Sequence, residues 1–328
     1  MTSVHYSTPI VDIDEIGNGN HLYMKRDDMI PFSFGGNKAR KAEYFFREVD
    51  AGDYDCIVTY GSSSSNHCRV VANQAAKRGL PCYIIGPEEA SEPTYNHLLM
   101  EWFGAETMTV PVNEVHDTIE AKLEALRAEG KHPYFIAGGG HGNLGTRAYI
   151  DCYSEIVQYE KETRIHFDKI FFASGTGTTH AGLVCGKFLF PREKDTEIIG
   201  ISIARKNPRG RQVVLDSIKE YFDSLAVKLG EEEVEQATIF LDQYTGDGYA
   251  GSSEAVQEVI YRVMTKYGIP LDHTYTGKAF YGMERYLEEE EVRGENILFI
   301  HTGGTPLFFD ELFGARMAEE ARRGEAEE

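Results

Sequence analysis

Short apolar runs alternate with longer mixed stretches along most of this chain. Runs such as Cys56–Tyr60 have the length and composition of buried strands, whereas stretches such as Ala39–Asp50 are long enough for helices and carry apolar or aromatic residues at several positions. Strands that alternate with helices in this way are typical of a parallel sheet. The pattern therefore predicts an α/β fold with mostly parallel strands.

Two such series follow one another. The elements predicted in the first are the strand 21–25, helix 39–50, strand 56–60, helix 68–78, strand 81–85, helix 94–103, strand 106–112, helix 115–129 and strand 133–136. Those in the second are the strand 169–173, a helix from Thr179, the strand 197–203, a helix from Val213 and the strand 296–300. The charged end, Ala318–Glu328, is typical of a fraying helix. We expect a large domain of residues 1–49 and 154–328 and a small domain of residues 50–153, with the N-terminal segment folded back onto the later part of the chain.

The charge balance is strongly acidic, with 53 acidic and 33 basic residues and a formal net charge of −20. Such a charge repels nucleic acid and anionic membranes, so we expect neither as a partner. The N-terminus lacks the basic and apolar regions of a signal peptide, and no apolar run reaches the length of a membrane span. The five cysteines are widely spaced and form no CxxC pair, which argues against disulfides and a metal site and favours a cytoplasmic location.

A lysine in a glycine-rich stretch is the first candidate for chemistry. Lys38 follows Gly35, Gly36 and Asn37 at the start of a predicted helix. Glycines let the backbone approach a bound group closely, and a desolvated lysine amine loses its proton and reacts with aldehydes. Taken alone, the stretch is more typical of a loop before a basic helical turn. Two other glycine-rich stretches change that interpretation.

Two predicted strands end in loops rich in hydroxyl groups. The loop Ser174–Thr179 leads from an apolar strand into a helix, where free N–H groups and the positive helix end bind phosphate. His180 stands where a dinucleotide fingerprint has glycine, and a Walker lysine is missing, so the loop fits a single phosphate. The loop Gly61–His67 contains four consecutive serines, more than N-capping explains, and suits a carboxylate or a ring oxygen.

A third strand end, His301–Pro306, carries a hydroxyl and two glycines. Because ligands of open α/β sheets bind at the carboxyl ends of strands, we expect all these stretches to face one crevice. A lysine that can form a Schiff base, a single phosphate site, a nearby amide and a hydroxyl at a strand end together indicate pyridoxal phosphate as the cofactor.

The chain resembles the fold-type II pyridoxal-phosphate enzymes, and among them the branch of D-cysteine desulfhydrases and 1-aminocyclopropane-1-carboxylate deaminases. The motifs that carry the resemblance are, in order, KRDD at 25–28, GGNKARK at 35–41, SNH at 65–67, ASGTGTTHAGL at 173–183, YTGK at 275–278 and HTGGTP at 301–306. The resemblance implies a tryptophan synthase beta-like fold of two open, mostly parallel twisted sheets with helices on both faces. It also implies a homodimer.

The resemblance further implies roles for individual residues. Those expected in catalysis are Lys38, which would carry the cofactor and take the α-proton, with Ser65, Tyr249 and Tyr275. Those expected to bind the cofactor are Lys38, Asn66, Ser174, Gly175, Thr176, Gly177, Thr178, Thr179, Thr276, Thr302 and Gly303. Those expected to contact the substrate are Ser64, Ser65, His67 and His141. Core packing is the alternative for either tyrosine, and a satisfied structural histidine is the commoner role for His67.

Two positions depart from the branch's pattern. The ring-opening deaminases carry a glutamate where this chain has Thr276, which favours the desulfhydrases. The desulfhydrases usually carry a glutamine where this chain has Ser64, which leaves the substrate open. The dense basic cluster Arg205, Lys206, Arg209 and Arg211 is more typical of a solvated loop than of an anion site.

The resemblance predicts a lyase that performs α,β-elimination on a small amino acid, with D-cysteine as the expected substrate and pyruvate, sulfide and ammonia as products. Ring opening of 1-aminocyclopropane-1-carboxylate is the alternative within the branch. β-Replacement by a second nucleophile uses the same residues. A catalytically silent protein that binds pyridoxal phosphate or an amino acid is the alternative of another class.

Overall fold

The structure is a computed structural model that describes residues 6–245 and 253–313. Its strands are β1 Ile10–Ile16, β2 Asn20–Lys25, β3 Cys56–Tyr60, β4 Cys82–Pro87, β5 Glu106–Val110, β6 Pro133–Ile136, β7 Lys169–Ser174, β8 Glu197–Ser202, β9 Ile239–Leu241 and β10 Asn296–Ile300. Its helices are α1 Asn37–Ala51, α2 Asn66–Lys77, α3 Tyr95–Trp102, α4 Val115–Ala128, α5 Asn143–Thr163, α6 Thr178–Leu189, α7 Arg209–Ser224, α8 Glu231–Ala237, α9 Glu254–Tyr267 and α10 Thr276–Glu289.

A four-stranded sheet is formed by consecutive strands of the first half of the chain. Its order is β5-β4-β3-β6, and all neighbours are parallel. Helices connect these strands because a parallel pair needs a long crossover. The apolar side chains of β3 and β4 point alternately to two cores, one shared with α1 and α2 and the other with α4.

A six-stranded sheet contains the remaining strands in the order β1-β2-β10-β7-β8-β9. β1 is antiparallel to β2, and the other neighbours are parallel. One face packs against α9 and α10, and the other against α5, α6 and α7. Because β2 pairs with β10, the N-terminal segment does fold back onto the later part of the chain. The predicted α/β class with mostly parallel sheets and helices on both faces is therefore confirmed.

The predicted strands match the structure closely, whereas several helices were not predicted. No prediction covered the helices α5, α8, α9 and α10 or the strands β1 and β9. The proposed boundary between residues 153 and 154 falls inside α5, so a continuous helix crosses it instead of a linker. The division into two domains stays a prediction, and Ala318–Glu328 lies outside the described residues. Among the helices that the structure describes, none is long and apolar enough to cross a membrane.

Candidate active site

The start of α1 places Lys38 against the end of β10. The N–H of Asn37 donates to the carbonyl oxygen of Thr302 at 2.9 Å. Gly36 has φ +91°, and a Cβ there would lie 2.6 Å from the same oxygen, so only glycine permits this approach. The Lys38 ammonium donates to the Gly139 carbonyl oxygen at 3.0 Å. The lysine is therefore held between the two sheets.

A second lysine one helical turn later shares this environment. Lys41 is buried, and its Nζ donates to the Thr178 hydroxyl at 2.7 Å. Burial lowers the pKa of Lys38 to about 8. Burial and the neighbouring Lys38 hold the pKa of Lys41 well below its usual value. Neither lysine forms an ion pair with a carboxylate of the described residues, so this amine pair has room for an anionic ligand.

The opposite face of α1 is fixed by a buried ionic network. The Arg40 guanidinium donates to both oxygens of Asp27, at 2.7 and 2.9 Å, and to Glu155 at 2.6 Å. Lys25 donates to Glu155 at 2.6 Å, and the Tyr149 hydroxyl donates to Asp27 at 2.7 Å. The network joins the end of β2 to α1 and α5, and it orients the helix that carries Lys38.

The predicted phosphate loop connects β7 with α6. The first N–H groups of a helix have no partner within it, and the Gly177 cap supplies no side-chain acceptor. The Thr179 hydroxyl accepts from the Asn37 side chain at 3.1 Å, which ties the loop to α1. The Thr178 hydroxyl accepts from Lys41, and Thr178 is not part of the cavity lining. The loop thus offers backbone donors beside the amine pair, as a phosphate requires.

The serine-rich loop opens α2. The Ser65 hydroxyl accepts from the N–H of Cys68 at 3.1 Å and caps the helix. The Asn66 side-chain oxygen accepts from Arg69 at 2.8 Å and from Asn96 at 3.0 Å. Because its oxygen is occupied, Asn66 turns its NH₂ group to the cavity that it lines. That group is a donor suited to an anionic oxygen on a ring.

His67 is a neutral side chain of defined tautomer. The Thr59 hydroxyl gives its one proton to the Ile136 carbonyl oxygen at 2.7 Å, so it accepts from Nε2–H of His67 at 2.9 Å. Burial, with Lys38 and Lys41 adding to it, holds the pKa of His67 well below its usual value. Nδ1 of His67 therefore remains an acceptor on a side chain that lines the cavity.

Tyr275 and Thr276, which are neighbours in sequence, have different surroundings. Asp272 is buried and accepts from the N–H groups of Thr274, Tyr275 and Thr276 at 2.7 to 3.1 Å. The Thr276 hydroxyl donates to Asp272 at 2.8 Å, whereas Tyr275 lines the cavity. Thr276 thus shapes the turn that presents Tyr275, and the cofactor contact predicted for it stays a prediction.

A cavity of about 400 Å³ lies at the carboxyl ends of β3, β7, β8 and β10. The predicted site residues that line it are Lys38, Ser65, Asn66, His67, Ser174, Gly175, Thr176, Gly177, Thr179, Tyr275, Thr302 and Gly303. Those outside its lining are Ser64, His141, Thr178 and Thr276. Ser64 lines a neighbouring surface groove instead, and Tyr249 lies outside the described residues.

Several lining residues were missed from the sequence. They are Asn37, Tyr60, Gly138, Gly139, His180, Ile203, Ala204 and Arg205. Gly138 and Gly139 follow β6, and the strand-end signal that identified the other loops could have found them. Arg205 was assigned to a solvated loop because its basic neighbours in sequence dominated the pattern.

The residues present fit pyridoxal phosphate. The first turn of α6 supplies N–H donors for a phosphate, and Lys38 lies in the same cavity for the aldehyde. Asn66 offers a donor for the phenolic oxygen. The Thr302 hydroxyl lines the cavity and has no hydrogen bond to another described residue, so it is available to the ring nitrogen.

Comparisons with known proteins agree with this geometry. A family model described as pyridoxal-phosphate dependent enzyme matches residues 1–303. The chain is 34% identical over 316 residues to a D-cysteine desulfhydrase of Yersinia enterocolitica, covering 92% of this chain and 93% of the relative. It is 34% identical over 308 residues to a putative 1-aminocyclopropane-1-carboxylate deaminase of Pyrococcus horikoshii, covering 92% and 90%. A solved structure described as an ACC deaminase homologue is 33% identical, has a TM-score of 0.83 and is matched over 94% of each chain.

This chain therefore belongs to the family of pyridoxal-phosphate dependent enzymes. The membership confirms the predicted cofactor, the fold-type II class and the resemblance to the desulfhydrase and deaminase branch. The roles of individual site residues stay predictions.

Proposed function

We propose that this enzyme catalyses α,β-elimination on a small amino acid, with D-cysteine as the preferred substrate and pyruvate, sulfide and ammonia as products. The observation that carries the proposal is the position of Lys38. Its amine, with a pKa near 8, lies in one cavity with a phosphate loop and with the Ser65–His67 loop. A base of this strength beside two anion-binding loops suits proton removal from a bound amino acid.

Pyridoxal phosphate, when bound, withdraws electrons from the α-carbon of an attached amino acid. Lys38 accepts the α-proton on Nζ. The Ser65 oxygen is the acceptor in the helix cap, so the hydroxyl hydrogen is not used there. That hydrogen can form a hydrogen bond to the substrate carboxylate. Asn66 would donate to the phenolic oxygen of the cofactor, and the neutral Thr302 hydroxyl would meet its ring nitrogen. Loss of the β-substituent then follows proton removal.

The ring-opening deamination is a second candidate, favoured by the similarity to the ACC deaminase homologue. Elimination is preferred because Thr276 stands where the deaminases carry a glutamate. The Thr276 hydroxyl is bonded to Asp272, and among the described residues that line the cavity there is no carboxylate. The described residues that line the cavity therefore include no carboxylic acid that could assist ring opening.

The test is a product assay on purified, cofactor-loaded protein. The panel is D-cysteine, L-cysteine, β-chloro-D-alanine, D-serine and 1-aminocyclopropane-1-carboxylate, with sulfide, ammonia and the keto acid as readouts. Sulfide and pyruvate from D-cysteine support the proposal. 2-Oxobutyrate from the cyclopropane would replace it with ring opening, and a product that incorporates an added thiol would indicate β-replacement.

A silent binding protein is distinguished with Lys38→Ala. An enzyme loses turnover by several orders of magnitude in this variant, whereas the exposed Lys219→Ala keeps it. Absence of turnover in the wild-type protein with every substrate of the panel would contradict the elimination proposal.

We propose the finer attributes on the same basis. A homodimer and two domains, residues 1–49 with 154–328 and residues 50–153, are supported by the family resemblance, and light scattering of the purified protein tests the dimer. A cytoplasmic location is supported by five buried free cysteines, and fractionation of the source cells tests it.

A further inference from the structure

Arg205 differs from the basic residues next to it in sequence. Lys206 is exposed and donates to the Asp242 carbonyl oxygen at 2.7 Å. Arg211 donates to the carbonyl oxygens of Glu235 and Thr238. Arg205 instead lines the active-site cavity, three residues after the end of β8. The cluster therefore contains one member that faces the site.

The Arg205 guanidinium has no hydrogen-bond or ion-pair partner among the residues that the structure describes. Its Nη1 is buried and has no hydrogen bond, and no carboxylate of the described residues pairs with the side chain. A buried donor without an acceptor is costly, so the position of Arg205 at the cavity suits an acceptor supplied by a ligand. Burial and the nearby Arg209 both lower the pKa of Arg205, opposed by Tyr60. An added anion would satisfy both the hydrogen-bonding and the charge requirement.

The composition of the cavity wall specifies the ligand's charge. Lys38 and Arg205 line the cavity, and no aspartate or glutamate does so among the described residues. Arg205 lies on the β8 side of the phosphate loop, where Ile203 approaches the position of a Gly175 Cβ at 3.6 Å. The planar fork of an arginine suits two oxygens of one group.

We propose that Arg205 is an oxyanion-binding residue of the active site, with Nη1 as the donor. The oxyanion comes from one of two sources, the phosphate of the cofactor or an acidic group on the side chain of the bound amino acid. Binding of an acidic amino-acid side chain rests on the proposed function, because it concerns the substrate. Binding of the cofactor phosphate does not depend on the reaction.

Cofactor binding tests the first source. Apo-protein is titrated with pyridoxal phosphate and with pyridoxal, which lacks the phosphate, for the wild type, Arg205→Met and the exposed control Arg209→Met. A phosphate contact raises the dissociation constant for pyridoxal phosphate at least about tenfold in Arg205→Met and leaves that for pyridoxal unchanged. Arg209→Met matches the wild type in both titrations.

Ligand binding to the loaded protein tests the second source without turnover. The spectral change of the cofactor is titrated with aspartate and with alanine, each as both enantiomers. A substrate contact gives the wild type at least about tenfold tighter binding of one aspartate enantiomer than Arg205→Met, with equal binding of alanine. Because no product is measured, this result is independent of whether elimination is the reaction.

Arg205→Lys keeps the positive charge but loses the forked guanidinium. It should therefore retain part of the affinity for pyridoxal phosphate or for aspartate, and it replaces Arg205→Met in both titrations if that variant fails to fold. The proposal is wrong if both variants fold and bind pyridoxal phosphate, aspartate and alanine within twofold of the wild type.

Discussion

The lowered pKa of Lys38 predicts how the apo-protein captures its cofactor. An aldehyde reacts with the free amine and not with the ammonium, so the capture rate follows the deprotonated fraction of Lys38. Raising the pH through 8 therefore increases the rate, which then reaches a plateau. For a lysine with an ordinary pKa, the capture rate would continue to rise up to pH 10.

The magnitude follows from the pKa alone. With a pKa of about 8, roughly one tenth of Lys38 is deprotonated at pH 7. A lysine of ordinary pKa, about 10.4, is deprotonated in well under one molecule in a thousand at that pH, so the reactive fraction of Lys38 is more than about a hundredfold larger. Burial at the start of α1 accounts for this gain.

The assay is stopped-flow mixing of apo-protein with pyridoxal phosphate from pH 6 to pH 10.5, following the absorbance of the lysine adduct. A free lysine derivative provides the reference profile, and Lys38→Ala gives the rate of non-covalent binding. A rate for the wild type that still rises tenfold per pH unit between 9 and 10 would refute the assignment of a low pKa to Lys38.

Three further variants test the surroundings of the lysine. Lys41→Met removes the positive charge that binds Thr178 at the start of α6 and should raise the dissociation constant for pyridoxal phosphate about tenfold or more, but not that for pyridoxal, in equilibrium titrations. Gly36→Ala places a Cβ against backbone and should abolish cofactor binding, whereas Gly79→Ala, with positive φ but open space, should lower only the melting temperature; equal binding by both would contradict the close approach. Asp27→Asn breaks a buried ion pair and should cost about 3–5 kcal/mol in urea unfolding at pH 7. Because Arg40 lowers the pKa of Asp27 in the folded state, that difference should shrink as the pH falls below about 4, and a constant difference would exclude the ion pair as its source.

The strands and the loops after them could be predicted because their signals are local. A buried parallel strand is a short apolar run, and β3, β6, β7 and β10 were found within a residue or so of their bounds. The loops after β3, β7 and β10 carry glycine and hydroxyl groups side by side in sequence, and the structure brings them to one cavity. Lys38 was identifiable for the same reason.

The remainder depends on contacts between distant residues. Thr276 occupies the position expected from the resemblance, but the carboxylate of Asp272 attracts its hydroxyl and leaves only Tyr275 at the cavity. Ser64 turns to a neighbouring groove, although its neighbour Ser65 stays in the site. Arg205 has a surface-like sequence context, but it lies three residues after the end of β8 and lines the cavity. The local sequence pattern does not determine which way these side chains point.

The hydrogen bond from Asn37 to Thr302 joins two parts of the chain that lie far apart in sequence. The lysine leaves the ribosome early, but the carbonyl that fixes the start of its helix leaves among the last described residues. A nascent or truncated chain that stops before β10 carries the lysine without the wall against which it is held. The lysine site is therefore complete only when both the early helix and the late strand are present.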